Sequence, residues 1–425
     1  MRLSRFVLAA GLLLAAVPVF AGTYYVANPG GNVGCTNGSY FTSINAAIAD
    51  AAVPAGSTIK VCPGTYNEQV LINKKITLEG VTSTAPNAET VLILPPGGGV
   101  VANTTDLDSG GPIAAQILVT TPGPITIKNL TVDGTGNNVD DSTTDLMGIL
   151  FQNASGTLEY VAVRNELPDG VVQGDSGYGQ GIYVQTAPGF TSNVAVKSSS
   201  VHGYNKNGIT GNDAGTTLTV MASVVQGSGP LGLGYDASNG IQIAFGAAGT
   251  VSGTKVIDNS YVGPIYGASS ILFYNAAEVT TNAASGNVIG NSQIPIGLYD
   301  IAGGLDDNVS VTNNTIFGTL TYDAIDACSN SNQITGNTIL NSAESGVHLD
   351  GTCTGSGNNN YVKGNTFIEG TCAGDLEDPS ETGNTLVHEI YYTIPFPVGN
   401  SATLSCVLPG EGPIGHHRPK PSPKR

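Results

Sequence analysis

The sequence predicts an all-β fold: a parallel β-helix, or solenoid, of roughly ten coils with a short N-terminal capping helix. Three observations lead there. Asn recurs in short polar turns at Asn259, Asn291, Asn314, Asn337 and Asn365, with spacings of 32, 23, 23 and 28 residues. A second series is short and apolar: Gly181-Ile-Tyr-Val-Gln185, Gly240-Ile-Gln-Ile-Ala244, Ser270-Ile-Leu-Phe-Tyr274, Ala324-Ile-Asp-Ala327 and Gly346-Val-His-Leu-Asp350. The two series alternate, and period-two segments such as Ile125-Thr-Ile-Lys-Asn-Leu-Thr-Val132 lie between Gly or Asn punctuation, with no helical pattern between them. One such coil cannot bury its own apolar face. Coils stacked ~4.8 Å apart make one continuous core. Gly, at 58 of 425 residues, fits a chain that turns sharply many times. The recurring Asn residues are expected to form a structural ladder inside one turn. A β-propeller is the competing fold, but its blades would repeat regularly at ~40–45 residues.

The elements follow in chain order. Residues 1–21 read as a cleaved secretory signal: Arg2 and Arg5 precede an apolar stretch, and Val19-Phe20-Ala21 suits a small-residue cleavage site. The apolar run is short for a ~20-residue span and no second one follows, so no membrane span is expected after cleavage. Residues 22–57 hold a strand and the cap. Ile44, Ala47 and Ile48 share one helical face, Thr42 or Ser43 can cap its start, and Pro54 and Gly56 end it. Residues 58–390 are the β-helix. Residues 391–411, with Pro395, Pro397 and Cys406, read as an irregular closure, and 412–425 as a basic, Pro-rich, solvated tail. His416-His417 in that tail is a weak metal tract.

Composition excludes several classes. The formal net charge is −17, and residues 22–417 carry 9 Lys/Arg against 32 Asp/Glu, 9 − 32 = −23. No nucleic-acid partner is expected of so acidic a body, and a polyanion would need a bridging cation. Cys35, Cys62, Cys328, Cys353, Cys372 and Cys406 all follow the signal, so disulfides and an extracytoplasmic destination (periplasm, cell surface or medium) are expected. Fifteen connectivities are open; proximity favours Cys35–Cys62, Cys328–Cys353 and Cys372–Cys406.

Ile59-Lys-Val-Cys-Pro-Gly-Thr-Tyr-Asn-Glu-Gln-Val70 and Lys75-Ile-Thr-Leu-Glu-Gly80 resemble the first coil of pectin-lyase-like right-handed parallel β-helix proteins, where the preceding helix and Gly64-x-Tyr66-x-Glu68 recur. The later Gly-Asn-Thr-Ile coils resemble secreted NosD-like, or carbohydrate-binding and sugar-hydrolase, repeats. The resemblance spans roughly residues 23–390 and implies a right-handed helix that handles polysaccharide. It brings no catalytic residue. The Gln-Asp-Thr-Leu, Asp-Phe-Ile-Phe-Gly and Leu-Gly-Arg-Pro-Trp segments of pectin methylesterases are missing, as are the Gly-His-Gly and Arg-Ile-Lys of polygalacturonases. Arg164 lacks the surroundings of a pectate-lyase base.

A site is sought instead on one strand row. With Ile182, Ile241, Ile271, Leu298, Ile325 and Val347 inward, the outward row is Tyr183, Gln242, Leu272, Tyr299, Asp326 and His348, with Tyr274 and Asp350 two residues further on. Tyr183, Gln242, Tyr274 and Tyr299 are the candidate sugar-binding groups, since rings stack on sugar faces and amides fix hydroxyls. Asp326 and Asp350 are the candidate catalytic pair, about 8 Å apart, a separation typical of inverting glycosidases. One would protonate the leaving oxygen and the other activate water, with His348 holding a proton or orienting a carboxylate. No cofactor is expected. Calcium is the weighed exception, from Gly303-Gly-Leu-Asp-Asp-Asn308, Asp106-Leu-Asp108 and Asp375-Leu-Glu-Asp378, but no clear motif supports it. The alternative function is a non-catalytic surface or matrix scaffold.

Overall fold

The computed structural model describes residues 20–28, 35–82, 88–140, 142–168, 179–231, 238–261, 266–301, 308–351, 357–368, 373–377, 381–387, 390–392 and 420–421. Nearly all of the signal, the C-terminal closure and most of the tail therefore lie outside the described residues, as do Cys353, Cys372 and Cys406.

Each coil in the body of the molecule contributes three strands. Ser310–Thr312, Thr315–Thr319 and Ile325–Cys328 make one coil, and Gln333–Thr335, Thr338–Leu340 and Ser345–Leu349 make the next. Corresponding strands pair in parallel. The first two strand rows merge into a 23-stranded sheet, and the third forms a 12-stranded sheet. The only antiparallel ladder among the described residues joins Thr104–Thr105 to Pro112–Val119. A two-residue ladder sets Lys420–Pro421 beside Tyr266–Gly267. No helix among the described residues is long and apolar enough to cross a membrane.

Inside the coil, Ile182, Ile209, Ile241, Ile271, Ile296, Ile325 and Val347 stack in register, all fully buried. Aliphatic groups repeated at the strand spacing give one uninterrupted core. The expected row used Leu298 where the register places Ile296; Leu298 pairs instead with Phe273. Both are inward-facing alternate residues of one strand, so sequence pattern alone could not choose between them.

The Asn ladder is present over Asn314, Asn337 and Asn365, with Asn287 joining it and the expected Asn259 and Asn291 outside it. Asn287, Asn314 and Asn337 each donate a side-chain N–H, at 2.9 Å, to the Oδ1 of the next rung, Asn314, Asn337 and Asn365. Each rung's Oδ1 also accepts the backbone N–H of the rung before, at 3.0 Å. Asn291 is not a rung. It is exposed, at φ 50°, and donates to Asp258 Oδ1. Asn259 is buried and bonds to Tyr204 and Ile257 instead.

The open N-terminal end is closed by the helix Ile44–Ala49, which buries Ile44, Ala47 and Ile48. Ser43 is its N-cap, accepting from the Ala46 N–H. Glu68 completes the cap: its carboxylate accepts from Ser43 Oγ (2.8 Å), Ile44 N (2.8 Å) and Asn45 N (3.0 Å). Tyr66 is buried and donates to the Cys62 carbonyl at 2.8 Å. The Gly64-x-Tyr66-x-Glu68 pattern is thus a device for docking the cap. A Cys35–Cys62 disulfide, with Cα atoms 5.8 Å apart, staples the same region. Cys328 is also disulfide-bonded.

Candidate functional site

The outer face of the 12-stranded sheet carries every residue expected of the site, and it is buried. The expected wet strip is corrected on this point. Asp145–Gln152, Gln180–Gln185, Asn207–Asn212, Asn239–Ala244, Ser269–Tyr274 and Ile294–Tyr299 are buried at every position. Strands covered on both faces lose the apolar-in, polar-out alternation. Sequences such as Asp-Leu-Met-Gly-Ile-Leu-Phe-Gln at 145–152 carry that signature.

The row divides into three zones. In the first, Tyr183 packs with Ile113, Ala115, Leu118, Met147 and Leu150. Its hydroxyl accepts from Asn212 Nδ2 at 3.2 Å, and burial, then the nearby Asp106 charge, holds the phenol well above its ordinary pKa. In the second, Gln242 is fully buried in an amide network. Its Oε1 accepts from Asn207 Nδ2 at 3.2 Å and its Nε2 donates to Asn212 Oδ1 at 3.1 Å. In the third, Tyr274 and Tyr299 cluster with Ala244, Leu272 and Cys328, and Phe245 meets Tyr274 edge-on with ring centroids 5.5 Å apart. Burial raises the Tyr274 pKa.

The third zone leads into the ionisable cluster. Asp326 and His348 are direct register partners on adjacent strands, and Asp350 lies two residues beyond His348. Tyr299 is two residues further along its strand than the row assumed, paired with Tyr274 and Cys328, a consequence of the Ile296 register. From there its hydroxyl donates to Asp326 Oδ2 at 2.7 Å. His348 Nδ1 lies 4.0 Å from Asp326 Oδ1 and 3.2 Å from Asp323 Oδ2. Asp323 Oδ1 accepts the Ser345 backbone N–H at 2.8 Å. Asp323, Asp326, His348 and Asp350 are all 3% exposed or less.

The structure thus brings Tyr299, Asp326 and His348 together, with Asp350 on the neighbouring strand end, and leaves Tyr183 and Gln242 in separate clusters. Asp323 is the member missed from sequence. It occupies the corner before the strand, where a search of strand positions does not look. The signal was Asp323-Ala-Ile-Asp326 with His348 one 22-residue coil after Asp326.

Of the segments weighed for calcium, 375–377 lie on the strand Ala373–Glu377, which pairs with Ser345–Leu349. Asp106 Oδ1 closes its own turn, accepting from Asp108 N, Ser109 N and Ser109 Oγ, and its Oδ2 accepts from Gln185. Residues 302–307 and 378 lie outside the described residues.

No protein-family model matches the chain, and no curated protein matches it in sequence. Among solved structures, the chain is similar to the GH136 lacto-N-biosidase of Eubacterium ramulus as its selenomethionine derivative. The TM-score is 0.58 at 12% identity, over 88% of this chain and 68% of that one. The native form of the same enzyme aligns over the same shares with a TM-score of 0.46 at 11% identity. Pectin methylesterase PemA from Erwinia chrysanthemi aligns over 70% of this chain and 90% of its own, with a TM-score of 0.39 at 12% identity. The Dettilon tailspike protein aligns over 87% and 62%, with a TM-score of 0.43 at 16% identity. At such identities the likeness concerns the path of the backbone. Together with the parallel ladders, the lacto-N-biosidase superposition makes this chain a right-handed parallel β-helix.

Proposed function

We propose that the chain is an exported protein that binds, and processes, a neutral or weakly acidic polysaccharide, with the ionisable cluster of the 12-stranded sheet as its working groups. One observation carries the reading: two carboxylates, an imidazole and a phenol converge at Asp323, Asp326, His348 and Tyr299. Clusters of buried titratable groups are costly to keep and concentrate at functional sites. The lacto-N-biosidase that shares the backbone path acts, by its name, on a sugar. The Cys35–Cys62 disulfide supports an extracytoplasmic destination.

In the hydrolytic form of this reading, Asp326 and Asp350 are the acid and base, one coil apart and two residues along the strand. That offset corresponds to about 8 Å. A glycan array and a polysaccharide-release screen on the mature chain test it. Asp326→Asn and Asp350→Asn are each expected to lower turnover by at least ~10²-fold. Full activity in both variants removes the site. The second reading, a non-catalytic scaffold, is favoured by the burial of the Tyr183–His348 row. It prevails when the mature chain neither binds nor cleaves any glycan offered.

A further inference from the structure

The Asp323, Asp326 and His348 side chains do more than share a neighbourhood. Each carboxylate has one oxygen anchored by a protein donor: Asp323 Oδ1 by the Ser345 backbone N–H at 2.8 Å, and Asp326 Oδ2 by the Tyr299 hydroxyl at 2.7 Å. The other oxygen of each, Asp323 Oδ2 and Asp326 Oδ1, faces His348 Nδ1, at 3.2 and 4.0 Å. One ligand atom from each of the three residues lies within 4.8 Å of the others. All three residues are buried on two successive coils, Asp323 at the corner before its strand and Asp326 and His348 as register partners.

We infer that these three residues form a site for a divalent first-row transition ion. Zinc bonds of ~2.0–2.2 Å to nitrogen and oxygen place tetrahedral ligands ~3.3 Å apart. The His348–Asp323 separation is already at that value, and the His348–Asp326 separation needs to close by less than an ångström. The donor set selects the ion class. An imidazole with two carboxylates suits zinc, manganese or iron, whereas calcium takes six to eight oxygens. Donors held by Tyr299 and by the Ser345 backbone are the outer shell that such a site requires to aim its ligands. Three protein ligands leave a position open for water or a sugar hydroxyl.

The inference stands apart from the glycan reading, and the two can fail separately. With an ion bound, Asp326 is a ligand and cannot also be the acid of a two-carboxylate hydrolase. Chelation would then abolish ion-dependent glycan cleavage, and would leave two-carboxylate cleavage intact.

The test is titration calorimetry on the mature chain after EDTA treatment and dialysis, with zinc, manganese, calcium and magnesium chlorides in separate runs. A His416→Ala, His417→Ala background removes the tail as a competing zinc ligand. One zinc per chain is expected, with Kd on the order of 1 μM or tighter, weaker manganese binding, and no calcium or magnesium binding. His348→Gln and Asp323→Asn are each expected to lower zinc affinity at least ~100-fold, and Tyr299→Phe about 10-fold. The inference is overturned if the stripped tail variant takes up neither zinc nor manganese, or if His348→Gln binds as the parent does. Circular dichroism checks the fold of each variant. Should the ligand variants unfold, the stoichiometry of the tail variant decides alone.

Discussion

Two glutamates show how one residue type takes opposite roles from its surroundings. Glu68 is half-buried and accepts three hydrogen bonds at the start of the capping helix, so its negative charge is what the site uses. Glu68→Ala leaves the Ile44 and Asn45 N–H groups without their acceptor. It is expected to cost about 2 kcal/mol in denaturant melts, with Glu68→Gln intermediate. Glu166 is the reverse case. It is fully buried, neither carboxyl oxygen has a hydrogen-bond partner among the described residues, and its side chain fills the space left by Gly134 and Gly148. Burial, and then the Asp133 charge, pushes its pKa well above the ordinary value. Asp133 itself is held low: burial opposes ionisation, but hydrogen bonds from Thr135, Arg164 and Asn165 outweigh it. Because the folded-state pKa of Glu166 is raised, its contribution is most favourable below the unfolded value and is lost as pH rises above it. Glu166→Gln should match the parent near pH 4 and become the more stable protein toward neutrality. The gain is at most about 4 kcal/mol at pH 7, since each pH unit above ~4.3 adds about 1.4 kcal/mol. Thermal melts across that range check it, and a pH-independent difference would show that the folded-state pKa of Glu166 is not raised above its unfolded value.

At the scale of the element, the Asn residues separate into rungs and corners. Asn314 is 1% exposed, donates to Asn337 Oδ1 and the Ala284 carbonyl, and accepts from Asn287. Asn314→Ala strands partners on both neighbouring coils and should cost about 3 kcal/mol or more. Asn291 belongs to the same sequence series but is an exposed left-handed corner. Asn291→Gly should stay within about 0.5 kcal/mol of the parent. Equal losses in denaturant melts would mean that the two positions are not distinct. The series was legible in the sequence; the division was not. A short amide side chain tolerates positive φ and also bridges neighbouring coils, so both needs select Asn. The capping helix was legible for the opposite reason, because Ile44, Ala47 and Ile48 with Ser43 satisfy a helix and little else. Asp326 and His348 were legible as neighbours because the 22-residue step between them equals the inward Ile325-to-Val347 step. Their burial was not read, since strict alternation was assumed for strands that are apolar on both faces.

Over the whole molecule, charge and stability are both organised along the coil axis. Lys60, Glu79, Lys128, Glu159 and Lys197 are register partners on five successive coils of the 23-stranded sheet, alternating in sign, and Lys128 Nζ lies 3.4 Å from Glu79. Of the nine body cations, Lys128 is thus ion-paired across strands, and Lys60 and Lys197 stand in register with glutamates, on the sheet that does not carry the ionisable cluster. Each coil touches only its neighbours, so stability is close to a sum of coil and interface terms, and disruption at one end need not reach the other. The Cys35–Cys62 disulfide provides the test. It closes a segment spanning 27 residues that holds the capping helix and Ser57–Val61, the strand paired with Thr23–Val26. A loop of that length stabilises by about 3–4 kcal/mol in the chain-entropy account. Cys35→Ala with Cys62→Ala should speed hydrogen exchange at Thr23–Val26 and Ser57–Val61 by the corresponding factor. The Asn-ladder coils at Val288–Ser292, Thr315–Thr319 and Thr338–Leu340 should keep their protection. A uniform loss of protection across all of these strands would show that the coils unfold as one cooperative unit.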